Sequence, residues 1–274
     1  MEVLQLRELA HQLRTTVLEM AWRAGSGHIG GSFSCAEILT VLYNRILKHD
    51  PKDPEKRDRD IFILSKGHAA PALYFTLAQR GFFSMEVLKT FRQQGSILQG
   101  HPDMHKVPGI EISTGSLGMG ISNAIGFALG GRLNGTANRV YVLCGDGELD
   151  EGECWEALMS AAKFRLDNLT LIIDRNFVQL DGTTEEIMPL SNLGKKIGAF
   201  GWRVFTCDGH DIEALLDALE KAAKVKGKPA AIIAETVKGK GVSFMEGDHN
   251  WHGKPLTEQE YRAAMEELNG GTRP

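Results

Sequence analysis

The chain has 274 residues, 42% of them hydrophobic and 24% charged, with a formal net charge of −4. That is material for one large or two small domains with a substantial core, and the balance excludes a disordered chain. No apolar run reaches the roughly 18–20 residues of a membrane span, no basic-then-apolar leader follows Met1, and the charge gives no electrostatic reason to expect nucleic acid.

Leu6, Leu9, Leu13, Val17, Met20 and Ala24 recur at steps of three and four, predicting an amphipathic helix that stops before Gly25. A glycine-rich loop over 25–31 follows and carries His28. Ser34 and Glu37 stand at capping-box spacing ahead of Ile38, Leu39, Leu42 and Ile46, which predicts a second helix. Residues 50–60 read as a charged surface loop. Ile61–Leu64 reads as a short buried strand running into Ser65-Lys66-Gly67-His68 and a helix to Ala78. Ser84 is placed to cap a helix to about Gln94, residues 95–123 are irregular, and 123–133 read as helix.

From there strands and helices alternate. Strand Val140–Cys144 leads to a helix near 151–164, then strand Leu169–Asp174 and a short helix near 191–199. Strand Arg203–Thr206, a helix from an Asp211 cap to about Lys224, strand Ala230–Glu235 and a helix from about Thr257 to Leu268 complete the set. This predicts an α/β fold, a mostly parallel sheet with right-handed crossovers and helices on both faces. Ligands in such sheets bind at the carboxyl ends of the strands. No repeat or low-complexity linker interrupts the chain, so 1–274 reads as a single domain.

The four cysteines, Cys35, Cys144, Cys154 and Cys207, lack C-x-x-C spacing and read as reduced thiols of a cytoplasmic protein. Glycine is abundant, 31 residues, much of it beside His, Asp and Ser, where it lets backbone approach a ligand. Gly145-Asp146-Gly147 sits between a strand and a helix, where free N–H groups favour phosphate and a carboxylate can hold Mg2+. Alone this is also an ordinary Asp-Gly turn. Asn176, at the end of the next strand, changes the reading. Adjacent parallel strands bring Asp146 and Asn176 to one edge, where an amide oxygen, a carboxylate and the Val178 carbonyl suit Mg2+.

His28, His68, His101 and His252 each lie beside glycine in predicted loops and resemble a cluster handling hydroxyls and phosphate oxygens. None has the H-x-x-x-H spacing of a helical zinc site. His11, His49, His105 and His210 read as surface residues, and His249 is left open. Lys66, Lys238 and Lys254 flank these loops and can neutralise a diphosphate. Gly115-Ser116-Leu117-Gly118-Met119-Gly120 resembles a phosphate loop but lacks the Lys-Ser/Thr ending of a Walker A motif.

Together these segments resemble the amino-terminal half of a transketolase, from Gly25-Ser26-Gly27-His28 through Ser65-Lys66-Gly67-His68, Gly100-His101-Pro102, Thr114–Gly118, Gly145–Glu148 and Asp174–Asn176 to Lys238–Gly241 and Trp251–Pro255. The resemblance runs nearly the whole chain in family order. It implies the thiamine diphosphate-binding fold, with thiamine diphosphate and Mg2+ (or Mn2+ or Ca2+) as cofactors. Asp146, Asn176 and the Val178 carbonyl would bind the metal. Gly147, His68, Lys238 and His252 would line the diphosphate, with Gly115, Ser116 and Leu117 nearby. His28 and His101 would contact the hydroxyls of the donor ketose, and all four histidines would take part in catalysis. Glu151 and Glu156 match acids at the subunit interface beside the cofactor, and both also fit an acidic first helical turn.

A complete transketolase continues with pyrimidine-binding and third domains. The expectation is therefore a split enzyme that transfers a two-carbon ketol unit from a ketose, phosphate or analogue, to an aldose. The missing domains would lie on a C-terminal subunit in a two-plus-two assembly, with sugars or sugar phosphates as substrates and neither nucleic acid nor membrane as partner. Deoxyxylulose-phosphate synthases and keto-acid dehydrogenase α subunits share the Gly-Asp-Gly…Asn device, and a noncatalytic module retaining the fold is the alternative of another class. Glu148-Leu149-Asp150-Glu151-Gly152 and Trp251–Pro255 look more like transketolase.

Overall fold

A computed structural model describes residues 1–270. Its centre is a five-stranded sheet, all parallel, in the order β1-β2-β3-β5-β4. The strands are β1 (Ile61–Leu64), β2 (Val140–Gly145), β3 (Leu169–Arg175), β4 (Arg203–Asp208) and β5 (Ala230–Glu235). The helices are α1 (Val3–Ala24), α2 (Ile29–Ser34), α3 (Ala36–Val41), α4 (Ala70–Gln79), α5 (Met119–Leu133), α6 (Gly152–Lys163), α7 (Thr184–Ile187), α8 (Leu193–Ala199), α9 (Ile212–Ala223) and α10 (Glu258–Leu268).

Strand periodicity sorts the core into two layers. Phe62, Leu64, Tyr141, Leu143, Ile172 and Ile232 face one side, where they meet α1–α4, α9 and α10. Ile61, Ile63, Val142, Leu171, Ile173 and Ile233 face the other, against α5, α6 and α8. Burial on both faces is why β1 and β3 are buried throughout and β2 up to Gly145, in keeping with their largely apolar runs. The chain steps from β1 to β2 and β3 over the α5/α6 face, passes β5 to reach the edge strand β4, and returns to β5 by way of α9 on the other face. Loops leaving β3 and β5 therefore part to opposite faces. The crevice between the two strand ends is the topological switch point where such sheets bind ligands.

Most element boundaries match the expectation, and the exceptions have local causes. The loop after α1 ends at His28, because Gly30 and Gly31 are wound into α2. Added Cβ atoms there would meet the Trp251 carbonyl and the His68 ring at 2.8 and 3.2 Å, so glycine serves close packing rather than a turn. Ser34 caps nothing, since its hydroxyl donates to Asp174 Oδ2 (2.6 Å), while Glu37 accepts from Arg14. The expected second helix is accordingly α3 followed by a single π turn over Leu42–Ile46, and α2 precedes it where loop was expected. After Ser84, whose hydroxyl accepts from the Glu86 amide, only a 3-10 segment to Thr90 forms. Helix α5 starts four residues early, from a left-handed Gly118. Glu151 precedes α6 without capping it, and Glu156 lies beyond its first turn. No described helix is long and apolar enough to cross a membrane.

Candidate active site

The carboxyl ends of β1, β2, β3 and β5 carry the polar residues that their apolar runs deliver there. At the end of β2, Asp146 is 1% exposed. Its Oδ1 accepts from the Gly147 amide (2.9 Å), and its Oδ2 accepts from the Phe177 amide (2.7 Å) and Arg175 Nη1 (3.3 Å). The second contact depends on a left-handed Phe177, φ 64°, which turns the chain after β3 back over Asp146. Burial first, then the neighbouring Asp174, push the Asp146 carboxyl up to about 6.

Asn176 is nearly buried, and its Nδ2 is held by Asp174 Oδ2 (3.2 Å). Its Oδ1 accepts from the Val178 amide (3.2 Å), and the Val178 carbonyl accepts from Lys238 Nζ (3.3 Å). The Phe177 amide on Asp146 thus ties a carboxylate to the segment that carries the Asn176 amide oxygen and the Val178 carbonyl, across the β2–β3 edge. This all-oxygen set fits Mg2+. Among the described residues no group of three His, Cys, Asp or Glu could hold a metal, so a softer N/S-ligated ion has no counterpart site.

Beneath this edge lies a buried ion pair. Asp174, 0% exposed, binds Lys66 Nζ and the Thr236 hydroxyl in addition to Ser34 and Asn176. Burial alone would raise the Asp174 carboxyl, but Lys66 together with the Ser34 and Thr236 hydroxyls outweighs it and holds the group below the usual carboxylate range. Lys66 also donates to the Gly31 carbonyl at 2.8 Å. The expectation that Lys66 neutralises a diphosphate is therefore corrected, because its charge is matched to Asp174. Lys254 does not reach the site either. It pairs with Glu260 at 2.6 Å and lies over the Trp251 ring. Lys238 remains, 2% exposed, its Nζ near Val178 O, Gln179 O (3.4 Å) and His252 Nδ1 (2.9 Å). Burial, then repulsion from Lys66, bring its ammonium down to about 8.

The four loop histidines meet. Ring centroids of His28 lie 5.4, 6.3 and 5.3 Å from those of His68, His101 and His252, and His68 lies 5.0 Å from His252. Segments far apart in sequence supply them: the start of α2, the end of β1, the 100–118 loops and the 3-10 turn His249–His252. Burial is the first cause that lowers each imidazole, reinforced by neighbouring cations: Arg92 for His28 and His101, Lys66 for His68 and Lys238 for His252. His28 falls to about 4 and His252 to about 3. All four are neutral near pH 7, suited to exchanging protons with hydroxyls. His28 Nδ1 is buried without a protein partner, an atom left for a ligand or water.

Gly115 fits under His101, where a Cβ would come within 3.0 Å of the ring. Ser116 and Leu117 are exposed beside it, and the Gly118 amide donates to Glu148 Oε1 (3.0 Å). Gly147 packs on Gln179 at a distance that excludes a side chain. Glu151 and Glu156 are exposed.

Three site residues escape the sequence reading. Arg175 bridges Asp146 and Glu185 (2.9 Å) beside the Phe177 ring. Glu148, 3% exposed, gathers Ser65, Gly118 and the Gly145 amide, and Asp174 anchors Lys66 and Asn176. A charge directly abutting an apolar strand run is the signal that would have found Asp174 and Arg175. Of the histidines read as surface residues, His49 and His210 are corrected. His49 bonds Arg80 (3.1 Å), and His210 bonds Glu37 (2.9 Å), both partly buried. His249 is half-exposed, 3.9 Å from Asp248.

Known proteins share this arrangement of segments. Residues 6–272 match the family model "Transketolase, thiamine diphosphate binding domain". The 6-deoxy-6-sulfo-D-fructose transketolase subunit SqwG of Clostridium sp. (strain MSTE9) is 45% identical, over 97% of this chain and 96% of that protein. An apulose-4-phosphate transketolase subunit from Phocaeicola vulgatus is 42% identical over 98% and 95%. The crystal structure of transketolase from Campylobacter jejuni superposes with a TM-score of 0.93 at 39% identity, covering 98% of this chain and 43% of that one. The chain thus spans about two-fifths of the single-chain relative and nearly all of the two subunits.

Proposed function

This chain belongs to the transketolase thiamine diphosphate-binding domain family, and from that premise we propose that it is the diphosphate-binding subunit of a two-chain transketolase. Such an enzyme moves a two-carbon ketol unit from a ketose to an aldose. The similarity to proteins named as subunits carries this reading: 45% and 42% identity, over 96% and 95% of their own chains.

Thiamine diphosphate, when bound, supplies the nucleophilic carbon and the electron sink for breaking and remaking the carbon–carbon bond. This chain's residues bind, orient and move protons. Asp146, Asn176 and the Val178 carbonyl hold a divalent cation. Lys238, the Gly147 amide, His68 and His252 line the diphosphate, and Gly115, Ser116 and Leu117 flank it. Neutral His28 and His101 take and return protons at the sugar hydroxyls. Glu151 and Glu156 face the partner.

That partner is a C-terminal subunit with pyrimidine-binding and third domains, two copies of each chain assembling. Leu117, Met119 and Phe177, large exposed apolar side chains adjoining Ser116, Gly118 and Asn176 in sequence, support a covering chain. The relatives are named for a sulfonated and a phosphorylated sugar, so a sugar with an anionic terminal group is the proposed substrate class. Four free cysteines suit a reducing compartment, and the cytoplasm is the proposed location.

The test is purification from the native source with Mg2+ and thiamine diphosphate, followed by intact mass of what accompanies the chain. A stoichiometric partner of roughly 300 residues, room for two more domains, and ketol transfer by the pair are expected. Pyruvate decarboxylation in place of ketol transfer would overturn the assignment.

A further inference from the structure

The deepest-buried charge pair outside the site joins α1 to α3. Arg14 Nη1 and Nη2 grip Glu37 at 2.7 and 2.6 Å, and Nη2 also donates to the Phe33 carbonyl at 3.0 Å. Burial would raise the Glu37 carboxyl, but Arg14 and then His210 pull it down to about 2. His210, in the loop between β4 and α9, stands against the same carboxylate, Nδ1 to Oε2 at 2.9 Å. Its other nitrogen, Nε2, accepts from the main-chain N–H of Val237 at 2.9 Å.

These contacts fix the tautomer. An amide N–H can only donate, so Nε2 is bare, Nδ1 carries the proton and donates it to Glu37. The place of Val237 gives this meaning. The β3–β5 hydrogen-bond ladder ends with the Thr236 amide on the Arg175 carbonyl. The next amide has no strand partner and takes the imidazole instead. One residue further on is Lys238. Its loop is otherwise tied by Gly239 N to Gly30 O (3.0 Å) and Gly247 N to Lys238 O (2.9 Å). The His210 loop also sits tightly here: the Gly209 amide donates to Glu235 O (2.7 Å), and a side chain at Gly209 would strike Thr236.

We propose that His210, oriented by Glu37 and Arg14, is a positioning residue that fixes the main chain at Val237 and thereby aims the Lys238 ammonium into the diphosphate cradle. The proposal deepens, and rests on, the cofactor reading above.

Two substitutions separate positioning from general structural support. In His210→Gln the side-chain oxygen reaches the place of Nε2 and can still accept from Val237, but the bond to Glu37 is lost. In His210→Asn the amide nitrogen reaches the place of Nδ1 and still donates to Glu37, but Val237 is orphaned. His210→Gln loses the bond to the Glu37 carboxylate, the stronger of the two, so its thermal midpoint should fall at least as far as that of His210→Asn. Thiamine diphosphate binding is measured by calorimetry with Mg2+ and the partner chain present, and hydrogen exchange is followed at residues 237–239 of this chain without cofactor. His210→Asn should weaken binding about tenfold and speed exchange at these amides, whereas His210→Gln should hold both within about threefold of the parent. Equal effects of the two variants, in size or in absence, overturn the proposal. A parent protein that binds no thiamine diphosphate overturns the cofactor reading instead, and the exchange pattern then decides by itself whether His210 anchors the segment.

Discussion

Lys66 offers the sharpest test of how the site is held together. Lys66 and Asp174 are 1% and 0% exposed, and their ion pair stands under both Asn176 and the Gly31 turn of α2. Replacing Lys66 with Met keeps volume and apolar stem but leaves a carboxylate in the interior with three neutral donors: Ser34, Asn176 and Thr236. Breaking one side of such a pair costs about 3–5 kcal/mol, most of it from the stranded charge. The partner substitution Asp174→Asn should recover much of this, so Lys66→Met/Asp174→Asn should lie within about 2 kcal/mol of the parent. The pH dependence has a definite sign. In the parent, the folded Asp174 value is depressed below its unfolded value of 3.8. Its stabilising contribution is therefore present above the unfolded value and is lost as pH falls through the folded one. In Lys66→Met the folded value instead rises, so protonation relieves the variant on acidification and the two stability curves converge. Urea unfolding of the parent, both single variants and the double variant near pH 7 and near pH 4.5 measures all of this. A double variant as unstable as Lys66→Met, or a gap indifferent to pH, would refute the claim that the charge of Asp174 is what Lys66 balances.

Three further predictions address the chemistry and the scaffold. Asp146→Asn should lower Mg2+-dependent thiamine diphosphate affinity by about 100-fold or more, read by calorimetry across a Mg2+ series; unchanged affinity would remove Asp146 from the metal set. His101→Ala should cut turnover about 100-fold while cofactor Kd stays within about threefold, and a parallel loss of both would make His101 a binding residue only. Glu37, drawn from 4.5 to about 2, contributes stability that is complete above its unfolded value and fades as pH falls from about 4.5 toward 2. Unfolding titrations should show Glu37→Gln flatter than the parent in that window, and identical slopes would contradict the assignment of the shift to Glu37.

The sequence exposes the scaffold because its signals are local. Apolar runs such as Ile61–Leu64 and Ala230–Glu235, and a cap such as Asp211, need no distant partner, and the structure reproduces them. The spacing of Asp146 and Asn176 is legible for a related reason. Parallel neighbours place successive strand ends side by side, and the register puts Gly145 opposite Asp174. Capping and charge fail where a side chain finds a better partner far along the chain. Ser34 looks like a cap but binds Asp174, 140 residues away. Lys66 looks like a phosphate ligand but its ion-pair partner lies 108 residues away. His210 looks like a surface residue, and its partners are Glu37, 173 residues before it, and Val237. No window of sequence contains such pairs.

The same long-range pairs explain how charge is apportioned around the cofactor edge. Two lysines and an arginine approach it, yet Lys66 is matched to Asp174 and Arg175 to Asp146 and Glu185. Lys238 alone of the three reaches the edge without a carboxylate on its ammonium, and it is the group whose charge burial weakens, to about 8. An incoming polyanion would reverse that weakening, since a nearby negative charge favours the protonated amine. The histidines are driven the same way, and because an imidazole starts from 6.5 the same burial and neighbouring cations leave it neutral. On the proposed reading the edge presents one buried ammonium, Lys238, beside neutral imidazoles, of which His68 and His252 would meet the diphosphate and His28 and His101 the sugar hydroxyls. The depressed imidazole values keep these rings able to accept a proton across the neutral range, whereas a ring at the ordinary 6.5 would be partly protonated there and unable to accept one in that fraction.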